Sequence, residues 1–296
     1  MNPAVQVFPT SSAQQRFWVL DQLDPSAAAY TIPLAFKVVG ELDPGALQSA
    51  LNVIVARHES LRTVFALEGE EPVQVVLPEL AVEIPLIDLT VRDAAERREA
   101  VEVAAARAAN QPFDLAHGPL VRASLLRTGV DEHVLLLAFH HTVVDGWSLA
   151  ILYGELERGY AAFARGAVPD SPPLPLQYPD YAVWQRSMLE STAARRQLAF
   201  WKERLSGVLP VLELPTDHPR PATQTASGAR RELHLSAALA DGMKNLARRE
   251  GATAYMTFLA AFVVLLRRYS QQDDLIVGSV TAGRNRPELE SLIGLF

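Results

Sequence analysis

Cysteine is absent from this chain of 296 residues, and its absence excludes several kinds of chemistry. Without cysteine there is no disulfide framework, no thiolate metal site and no cysteine nucleophile. Any thioester that takes part in a reaction here therefore has to be supplied by another molecule.

Long hydrophobic runs and an N-terminal signal arrangement are also missing. The apolar runs from Leu135 to Phe139 and from Phe258 to Leu266 are far shorter than the roughly 20 residues of a membrane-spanning helix. The N-terminus has no charged region followed by an apolar stretch and a small-residue cleavage site. These absences predict a soluble, cytoplasmic protein with no membrane contact.

Positive charge is scarce, because 27 Lys and Arg residues stand against 34 Asp and Glu residues and leave a net charge of −7. Recognition of nucleic acid requires a basic footprint, and the arginines here form no long run. We therefore expect no nucleic-acid partner. A hydrophobic share of 49% with a mean hydropathy of +0.08 is typical of a soluble α/β protein.

The length and the prolines predict two lobes. A chain of 296 residues corresponds to about two domains of roughly 150 residues. Five prolines lie between Gly166 and Pro179, where they prevent regular pairing and indicate a linker. We accordingly predict an N-terminal lobe at residues 1–175 and a second lobe at residues 176–296.

Alternating helix and strand patterns indicate an α/β fold. In the first lobe, the Asp43-Pro44 pair has the form of a cap followed by a first-turn proline and predicts the start of a helix. In the second lobe, a long amphipathic helix is predicted from Tyr178 to about Leu205, and strands are predicted at residues 230–235 and 274–280.

One stretch, from Leu135 to Ile151, has a pattern typical of a catalytic segment. It reads LLLAFHHTVVDGWSLAI, so an apolar run long enough for a buried strand ends abruptly in two histidines, an acid and a glycine. Histidine suits proton transfer at neutral pH, because an unperturbed imidazole titrates near ~6.5. The loop after the histidines is expected to lead into a helix that starts near Trp147 or Ser148.

The two adjacent histidines cannot both face one pocket, since successive side chains of a strand point to opposite faces. His141 is our candidate for the reactive group, and His140 is expected to pack behind the end of the strand with a hydrogen bond. Asp145 lies four residues after His141 on the same loop. His141 and Asp145 are therefore the catalytic candidates, with the acid expected to orient the site rather than to react.

Taken with this stretch, four further segments resemble the condensation domains of nonribosomal peptide synthetases. The HHxxxDG motif of that family is matched at His140, His141, Asp145 and Gly146. The other matches follow the family order along the whole chain: Ser12 to Leu20, Arg57 to Phe65, Tyr178 to Trp184, and the start of a fifth motif at Ile293 to Phe296. A lone HHxxxD pattern is weak, whereas five ordered matches are specific.

The resemblance implies a chloramphenicol acetyltransferase-like fold, with two lobes arranged as a V and the active site in a tunnel between them. Family members continue beyond residue 296, so the resemblance implies an incomplete second lobe and raises the question of whether this chain is active by itself. It also implies no bound cofactor and no metal. Substrates would arrive on the phosphopantetheine arms of an upstream donor and a downstream acceptor peptidyl carrier protein, beside an adenylation domain.

The implied reaction joins two carrier-bound groups by an amide bond. The α-amine of an acceptor aminoacyl thioester attacks the donor acyl or peptidyl thioester, and the carrier thiol leaves. An α-amine has a pKa near ~7.7–8.0 and attacks only when neutral, so His141 would take its proton or hold the amine in place. The wording of the first motif resembles that of the subclass that takes an L-configured donor.

The residues around the two catalytic candidates are expected to support the site. The resemblance pairs Asp145 with Arg62, so that removal of either should collapse the loop. Gly146 either lets the backbone approach the thioester or is a turn glycine with a positive φ. Trp147 and Ser148 either line the acceptor side or, in the case of Ser148, cap the following helix.

Several other functions fit parts of the pattern. The HxxxxD spacing of glycerolipid acyltransferases is disfavoured by the lack of a membrane segment, and a His-His-Asp metal site is disfavoured by the divergence of adjacent strand histidines. Epimerisation domains share HHxxxDG, but the GWS that follows resembles condensation domains more. A stand-alone HHxxxDG acyltransferase that forms esters or amides, and a non-catalytic docking module for carrier proteins, are the alternatives that we retain.

Overall fold

The computed structural model describes residues 5–24, 28–219, 222 and 231–296. The chain forms two compact units, of which the first comprises Met1–Arg195 with Ala282–Phe296 and the second comprises Arg196–Thr281.

The segment after the proline-rich stretch belongs to the first unit. Tyr178 and Tyr181 are buried there against Leu292, which the chain brings back after leaving the second unit. The compact units therefore divide after Arg195 rather than at the predicted residue 175. The reason is that these aromatic side chains are buried by packing against residues of the first unit.

The described elements of the first unit alternate between strands and helices, as the sequence predicts. In chain order they are β1 (Gln6–Pro9), α1 (Ser12–Leu23), β2 (Thr31–Val39), α2 (Pro44–Arg57), a 3₁₀ helix (Glu59–Arg62), β3 (Thr63–Glu68), β4 (Glu71–Val76), β5 (Leu86–Asp88), α3 (Ala94–Asn110), β6 (Val121–Arg127), β7 (Glu132–His140), α4 (Gly146–Phe163), α5 (Tyr178–Leu189) and a second 3₁₀ helix (Pro287–Leu289). Helix α6 (Thr192–Arg204) crosses the division between the units, and α7 (Ala237–Arg249) and α8 (Ala254–Ser270) lie in the second unit.

A four-stranded sheet in the order β2-β7-β6-β5 carries the predicted catalytic segment on its second strand. Strand β7 pairs antiparallel with β2 and β6, while β5 runs parallel to β6. Leu137 and Phe139 pack in the main core with α2 and α4, whereas Leu136 packs on the opposite face with α3. Because both faces are covered, β7 is an unbroken apolar run rather than an alternating one.

A second, three-stranded sheet has the order β1-β4-β3 and is antiparallel throughout. Helix α1, which follows β1 in the sequence, begins with a capping box. The side chain of Ser11 accepts from the backbone N–H of Gln14, and the side chain of Gln14 accepts from the backbone N–H of Ser11. Asp43 caps α2 in front of Pro44, as predicted. Local sequence signals thus place the helix starts on which the site rests.

The predicted single helix from Tyr178 to about Leu205 is wrong, because it consists of the two helices α5 and α6. The break lies at residues 190 and 191. Ser191 Oγ accepts from the backbone N–H of Ala194 at 3.1 Å, so the serine starts a new helix at this point. A serine inside an otherwise helical pattern competes with the helix for its backbone donors.

The predicted strands at residues 230–235 and 274–280 are not present in the described part of the chain. Residue 230 lies outside the described residues, and residues 231–235 and 274–280 are irregular. A strand requires a neighbour for its N–H and C=O groups. No described strand pairs with either segment, so their β-rich composition alone does not produce a sheet.

Helices α7 and α8 lie wholly within the second unit. Ser236 and Thr253 cap them by accepting from Leu239 N and Met256 N. No single helix among the described residues is long and apolar enough to cross a membrane, and only α7 and α8 together, bent by 108°, reach that length and composition.

Candidate active site

His141 follows directly after the last residue of β7. Its backbone N–H donates to the carbonyl of Tyr30, 2.9 Å away. Its ring stacks on the ring of Phe17 in α1, with centroids 5.3 Å apart and planes inclined by 18°. The residue is partly exposed, but its Nδ1 is buried and has no hydrogen-bond partner among the described residues. The imidazole is therefore held by stacking, while no described protein group fixes its tautomer through Nδ1.

His140 is buried, and its side chain is engaged by the protein. Its Nδ1 accepts from the backbone N–H of Thr142 at 3.2 Å and lies 2.8 Å from Thr142 Oγ1. A backbone N–H can only donate, so Nδ1 carries no proton and the neutral ring is protonated at Nε2. The rings of Phe17, Tyr30 and Phe113 surround it, with centroids between 6.0 and 6.5 Å away. The predicted burial of His140, with a hydrogen bond from its ring, is confirmed.

Burial, and to a smaller extent the neighbouring His141, lowers the pKa of His140 to about 4. Desolvation disfavours the charged form of an imidazole, so His140 is neutral at pH 7. Of the two histidines, only His141 is partly exposed, which makes it the candidate for contact with a substrate.

Asp145 is the N-cap of α4 and collects five hydrogen bonds on its carboxylate. Oδ1 accepts from Ser148 N at 2.8 Å, from Ser148 Oγ at 2.7 Å and from Arg284 Nη2 at 3.2 Å. Oδ2 accepts from Arg284 Nη1 at 2.7 Å and from Phe296 N at 3.3 Å. The alternative that Ser148 caps the helix is wrong, because α4 already begins at Gly146 and Ser148 lies within its first turn.

Arg284 is the cation that balances Asp145, and its side chain is only 1% exposed. Beyond the carboxylate, it donates to the carbonyls of Leu289 at 3.2 Å and Leu292 at 3.0 Å. Its guanidinium also lies over the ring of Phe296, 4.0 Å from the ring centroid. A buried guanidinium requires this density of acceptors, since an unpaired charge in the interior is costly.

The expected pairing of Asp145 with Arg62 is wrong. Arg62 Nη2 bonds Glu59 at 3.3 Å, and Nη1 donates to the carbonyl of Leu77. Arg62 closes the 3₁₀ helix after α2, so its guanidinium is used locally. Arg284 takes the place that was expected for Arg62.

Gly146 and Trp147 begin α4 on its exposed side. The φ of Gly146 is not in the left-handed region, so the interpretation as a turn glycine is wrong. A Cβ at this position would meet no atom within 4 Å, which leaves open space beside its Cα. Trp147 Nε1 donates to the carbonyl of Glu290 at 3.0 Å, while its side chain stays exposed.

The stretch that resembles the fifth motif lies against the start of α4 and is held mainly through its backbone. Gly294 N donates to Ser148 Oγ at 3.1 Å, and the carbonyl of Gly294 lies 3.0 Å from the same oxygen. The hydroxyl of Tyr178 donates to the carbonyl of Leu295 and lies 2.7 Å from Ser11 Oγ. Burial raises the pKa of Tyr178, so this hydroxyl stays protonated and can donate. The starts of α4 and α5 thus meet at residues 294 and 295.

Sequence reasoning missed Arg284 and assigned no role to the hydroxyl of Tyr178. Arg284 is separated from Asp145 by 139 positions, and no local pattern distinguishes it from the other arginines of the chain. The buried carboxylate, once recognised, is the one signal that calls for a cation, because Asp is almost never buried without a partner. Within the described part of the chain, no cluster of three or more His, Asp and Glu side chains could hold a metal ion.

Comparisons with known proteins agree with this arrangement. The model of the Condensation domain family matches residues 4–296. The chain is 47% identical over 294 residues to a subunit of the linear gramicidin synthase of Brevibacillus parabrevis, and the match covers 99% of this chain and 4% of that protein.

Two solved structures are also similar. The four-domain nonribosomal peptide synthetase AB3403, in its holo form bound to AMP and glycine, superposes with a TM-score of 0.84 at 26% identity, over 100% of this chain and 22% of that one. The SgcC5 protein from Streptomyces globisporus, in complex with a naphthyl ethanediol and sucrose, has a TM-score of 0.75 at 30% identity, over 97% of this chain and 66% of that one.

The fold and the HHxxxDG site define a protein of the chloramphenicol acetyltransferase-like class. Within that class, the chain belongs to the Condensation domain family. It spans a small fraction of the gramicidin synthase relative and about two thirds of the SgcC5 chain.

The ion pair of Asp145 and Arg284 generates a first prediction. Arg284→Ala leaves the carboxylate without its cation and should lower the free energy of unfolding by about 3–5 kcal/mol. Combined with Asp145→Ala, it should cost less than the sum of the single variants, with a coupling of about 0.5–3 kcal/mol in chemical denaturation. The matched control is Arg62→Ala, whose cost should add to that of Asp145→Ala. Additive costs for Arg284 and Asp145 would contradict the assignment.

The pKa of His140 generates a second prediction. Unfolded His140 takes up a proton near pH 6.5 and the folded ring only near pH 4, so the unfolded state binds more protons between these values. His140 should therefore make the free energy of unfolding fall by roughly 3 kcal/mol as the pH drops from about 6.5 to about 4.

This contribution can be isolated by comparing denaturation at pH 7 and pH 4.5. His140→Asn cannot titrate but keeps an acceptor at the position of Nδ1, so it should lose less stability on acidification than the unchanged chain. The exposed His218 supplies the control variant His218→Asn, which should keep the original pH dependence. Equal pH dependence in both variants would show that His140 is not the titrating group.

Proposed function

We propose that this chain catalyses amide-bond formation between a donor acyl or peptidyl thioester and the α-amine of an acceptor aminoacyl thioester. Both substrates are carried on phosphopantetheine arms, by an upstream donor and a downstream acceptor carrier protein. The new C–N bond forms as the C–S bond of the donor breaks, the carrier thiol leaves, and the amine gives up one proton. The observation that carries the proposal is the partly exposed imidazole of His141 at the tip of β7 in a chain of the Condensation domain family.

His141 is the catalytic residue of this proposal. A neutral imidazole can accept the proton of the attacking amine, position the amine, or stabilise the tetrahedral intermediate. The stacking on Phe17 and the backbone bond to Tyr30 fix the ring before a substrate binds. Such pre-organisation reduces the cost of bringing the reacting groups together.

Asp145 acts as a positioning residue rather than as a second base. An ionised carboxylate has about four lone-pair sites, and five hydrogen bonds from the protein already occupy its two oxygens. No capacity is left for a substrate proton. The role of Asp145 is to fix the loop that connects His141 to α4.

The setting of the proposal is a multidomain synthetase. The gramicidin synthase relative and the four-domain synthetase AB3403 are both far longer than this chain. Carrier proteins and an adjacent adenylation domain are the partners that such a setting supplies. The wording of the segment Ser12 to Leu20 supports an L-configured donor.

A stand-alone acyltransferase is the second candidate. The solved structure of SgcC5 contains a diol, and an alcohol in place of the amine would give an ester by the same displacement. The two candidates differ in the acceptor nucleophile, so they can be separated by the product that forms.

The central test uses the protein that contains this chain, with donor and acceptor carriers loaded by their amino acids. Mass spectrometry should detect the dipeptide on the acceptor carrier, and His141→Ala should slow its formation by about 10²–10⁴-fold. His218→Ala, at an exposed position, is the matched control and should leave the rate unchanged. Esters with alcohol acceptors but no amides would favour the second candidate, and full activity of His141→Ala would favour a docking module.

The open space beside Gly146 generates a further prediction. Gly146→Ala adds a methyl group that meets no protein atom, and alanine is favoured over glycine in a helix, so the free energy of unfolding should stay equal or rise by up to about 1 kcal/mol. If the thioester approaches this backbone, the methyl group displaces it and kcat/KM should fall by about 10- to 100-fold.

Gly242→Ala is the control for that substitution, because Gly242 lies in α7 and a methyl group there would also meet nothing within 4 Å. It should match Gly146→Ala in its small effect on stability and leave kcat/KM unchanged. Unchanged kcat/KM in Gly146→Ala would show that the substrate does not use this space.

A further inference from the structure

His58 is a buried histidine that the proposed reaction does not use. It is the C-cap of α2, and its side chain is 1% exposed. Both ring nitrogens are engaged, since Nε2 lies 2.9 Å from Glu155 Oε2 and Nδ1 accepts from the backbone N–H of Ile293 at 3.3 Å. The ring thus bridges a side chain of α4 and the backbone of the segment that resembles the fifth motif.

The two contacts determine the tautomer of the ring. The backbone N–H of Ile293 can only donate, so Nδ1 of His58 carries no proton. Nε2 then carries the proton and donates it to the carboxylate of Glu155. In a neutral histidine, the hydrogen bond made at one ring nitrogen determines whether the other nitrogen carries the proton.

Glu155 is an anion that is held by two neighbours. Burial raises its pKa, but the hydrogen bonds from His58 and Arg57 and the charge of Arg57 outweigh this and leave the pKa below its ordinary value. Arg57 Nε donates to Glu155 Oε1 at 3.0 Å, so the two carboxylate oxygens serve different partners. The charged groups around the His58 ring are therefore Glu155 and Arg57, and the carboxylate is fixed in place before it orients the ring.

These contacts form a closed circuit that begins and ends on α4. It runs from Glu155 to His58 and Ile293, and then from Gly294 to Ser148 Oγ, two turns before Glu155 on the same helix. Ser148 Oγ in turn bonds Asp145 Oδ1 at 2.7 Å. A displacement of Ile293 would therefore reach the carboxylate that holds the catalytic loop.

We propose that His58 is a positioning residue: its Nδ1 acceptor fixes the backbone at Ile293 and Gly294, and through Ser148 it sets the geometry of Asp145 and of the loop behind His141. Ser60 Oγ donates to the carbonyl of Ile293 at 2.7 Å and holds the other side of the same peptide segment. The consequence for catalysis rests on the proposed function, whereas the consequence for the backbone does not.

Two conservative variants separate the acceptor from the donor of the ring. His58→Asn places an amide oxygen where Nδ1 lies, so it keeps an acceptor for Ile293 N–H. His58→Gln places its amide at the position of Nε2, so it keeps the contact to Glu155 and loses the acceptor. Amide hydrogen exchange of the 296-residue chain should show Ile293 and Gly294 exchanging about tenfold faster in His58→Gln, and near the original rate in His58→Asn.

The same variants are then placed in the protein that contains this chain. His58→Gln should lower kcat for dipeptide formation with little change in KM, because substrate contacts are intact while the loop is misplaced. His58→Asn should leave kcat near the value of the protein without substitutions. His218→Gln is the matched control and should alter neither exchange nor kcat. Thermal unfolding of each variant checks that the effect is local rather than a loss of the fold.

Equal exchange at Ile293 in the original chain and in His58→Gln overturns the proposal, as does an Asn variant that is as impaired as the Gln variant. If the exchange results hold while no dipeptide forms in the protein without substitutions, the proposed function fails and the positioning role stands. If dipeptide forms and His58→Gln leaves kcat unchanged, the positioning role in catalysis fails and the proposed function stands.

Discussion

The buried ion pair between Asp145 and Arg284 is the interaction on which the site depends. The carboxylate is the N-cap of α4, and a negative charge at that position is favoured by the helix dipole. The same carboxylate binds the guanidinium that organises residues 284–296. Because one pair of charges serves both segments, the loop from His141 to Asp145 and residues 284–296 cannot take up their positions independently. Desolvation of the two charges is offset by the acceptors and donors gathered around them.

The two histidines of the motif lie in different environments because successive residues at a strand end point to opposite faces. His140 lies among aromatic rings with Nδ1 satisfied by Thr142, and burial keeps it neutral. His141 emerges where β7 ends and rests on Phe17. The buried, neutral His140 gives the end of the strand rigid support. The adjacent His141 provides an imidazole that is accessible for chemistry.

The contacts that hold residues 293–296 are made largely to backbone atoms. Ser60 and Tyr178 each donate to a carbonyl of this segment, while Ser148 and His58 each accept from one of its N–H groups. Backbone recognition makes the path of the chain matter more than the side chains on it. Gly294 shows the consequence, since a Cβ there would collide with the ring of Tyr178. The segment is therefore packed closely enough for the positions of neighbouring residues to be coupled.

The local elements of the fold followed from the sequence, because caps, proline positions and the apolar run of β7 act over a few residues. The start of α2 at Asp43-Pro44, the buried strand before the histidines, and the divergence of His140 and His141 were all predictable in this way. The break at Ser191 and the irregular residues 274–280 were not, since a competing cap and a missing strand partner override composition.

What the tertiary structure alone decided is which partners meet. The family resemblance pairs Asp145 with Arg62, but the fold brings Arg284 to the carboxylate instead. The physical reason is that a buried charge is satisfied by whatever the fold brings within hydrogen-bond distance, and that proximity is set by packing across 139 positions. The sequence by itself determined the chemistry that is available, namely the two histidines and the acid at the end of a buried strand. The fold determined the geometry in which that chemistry is held.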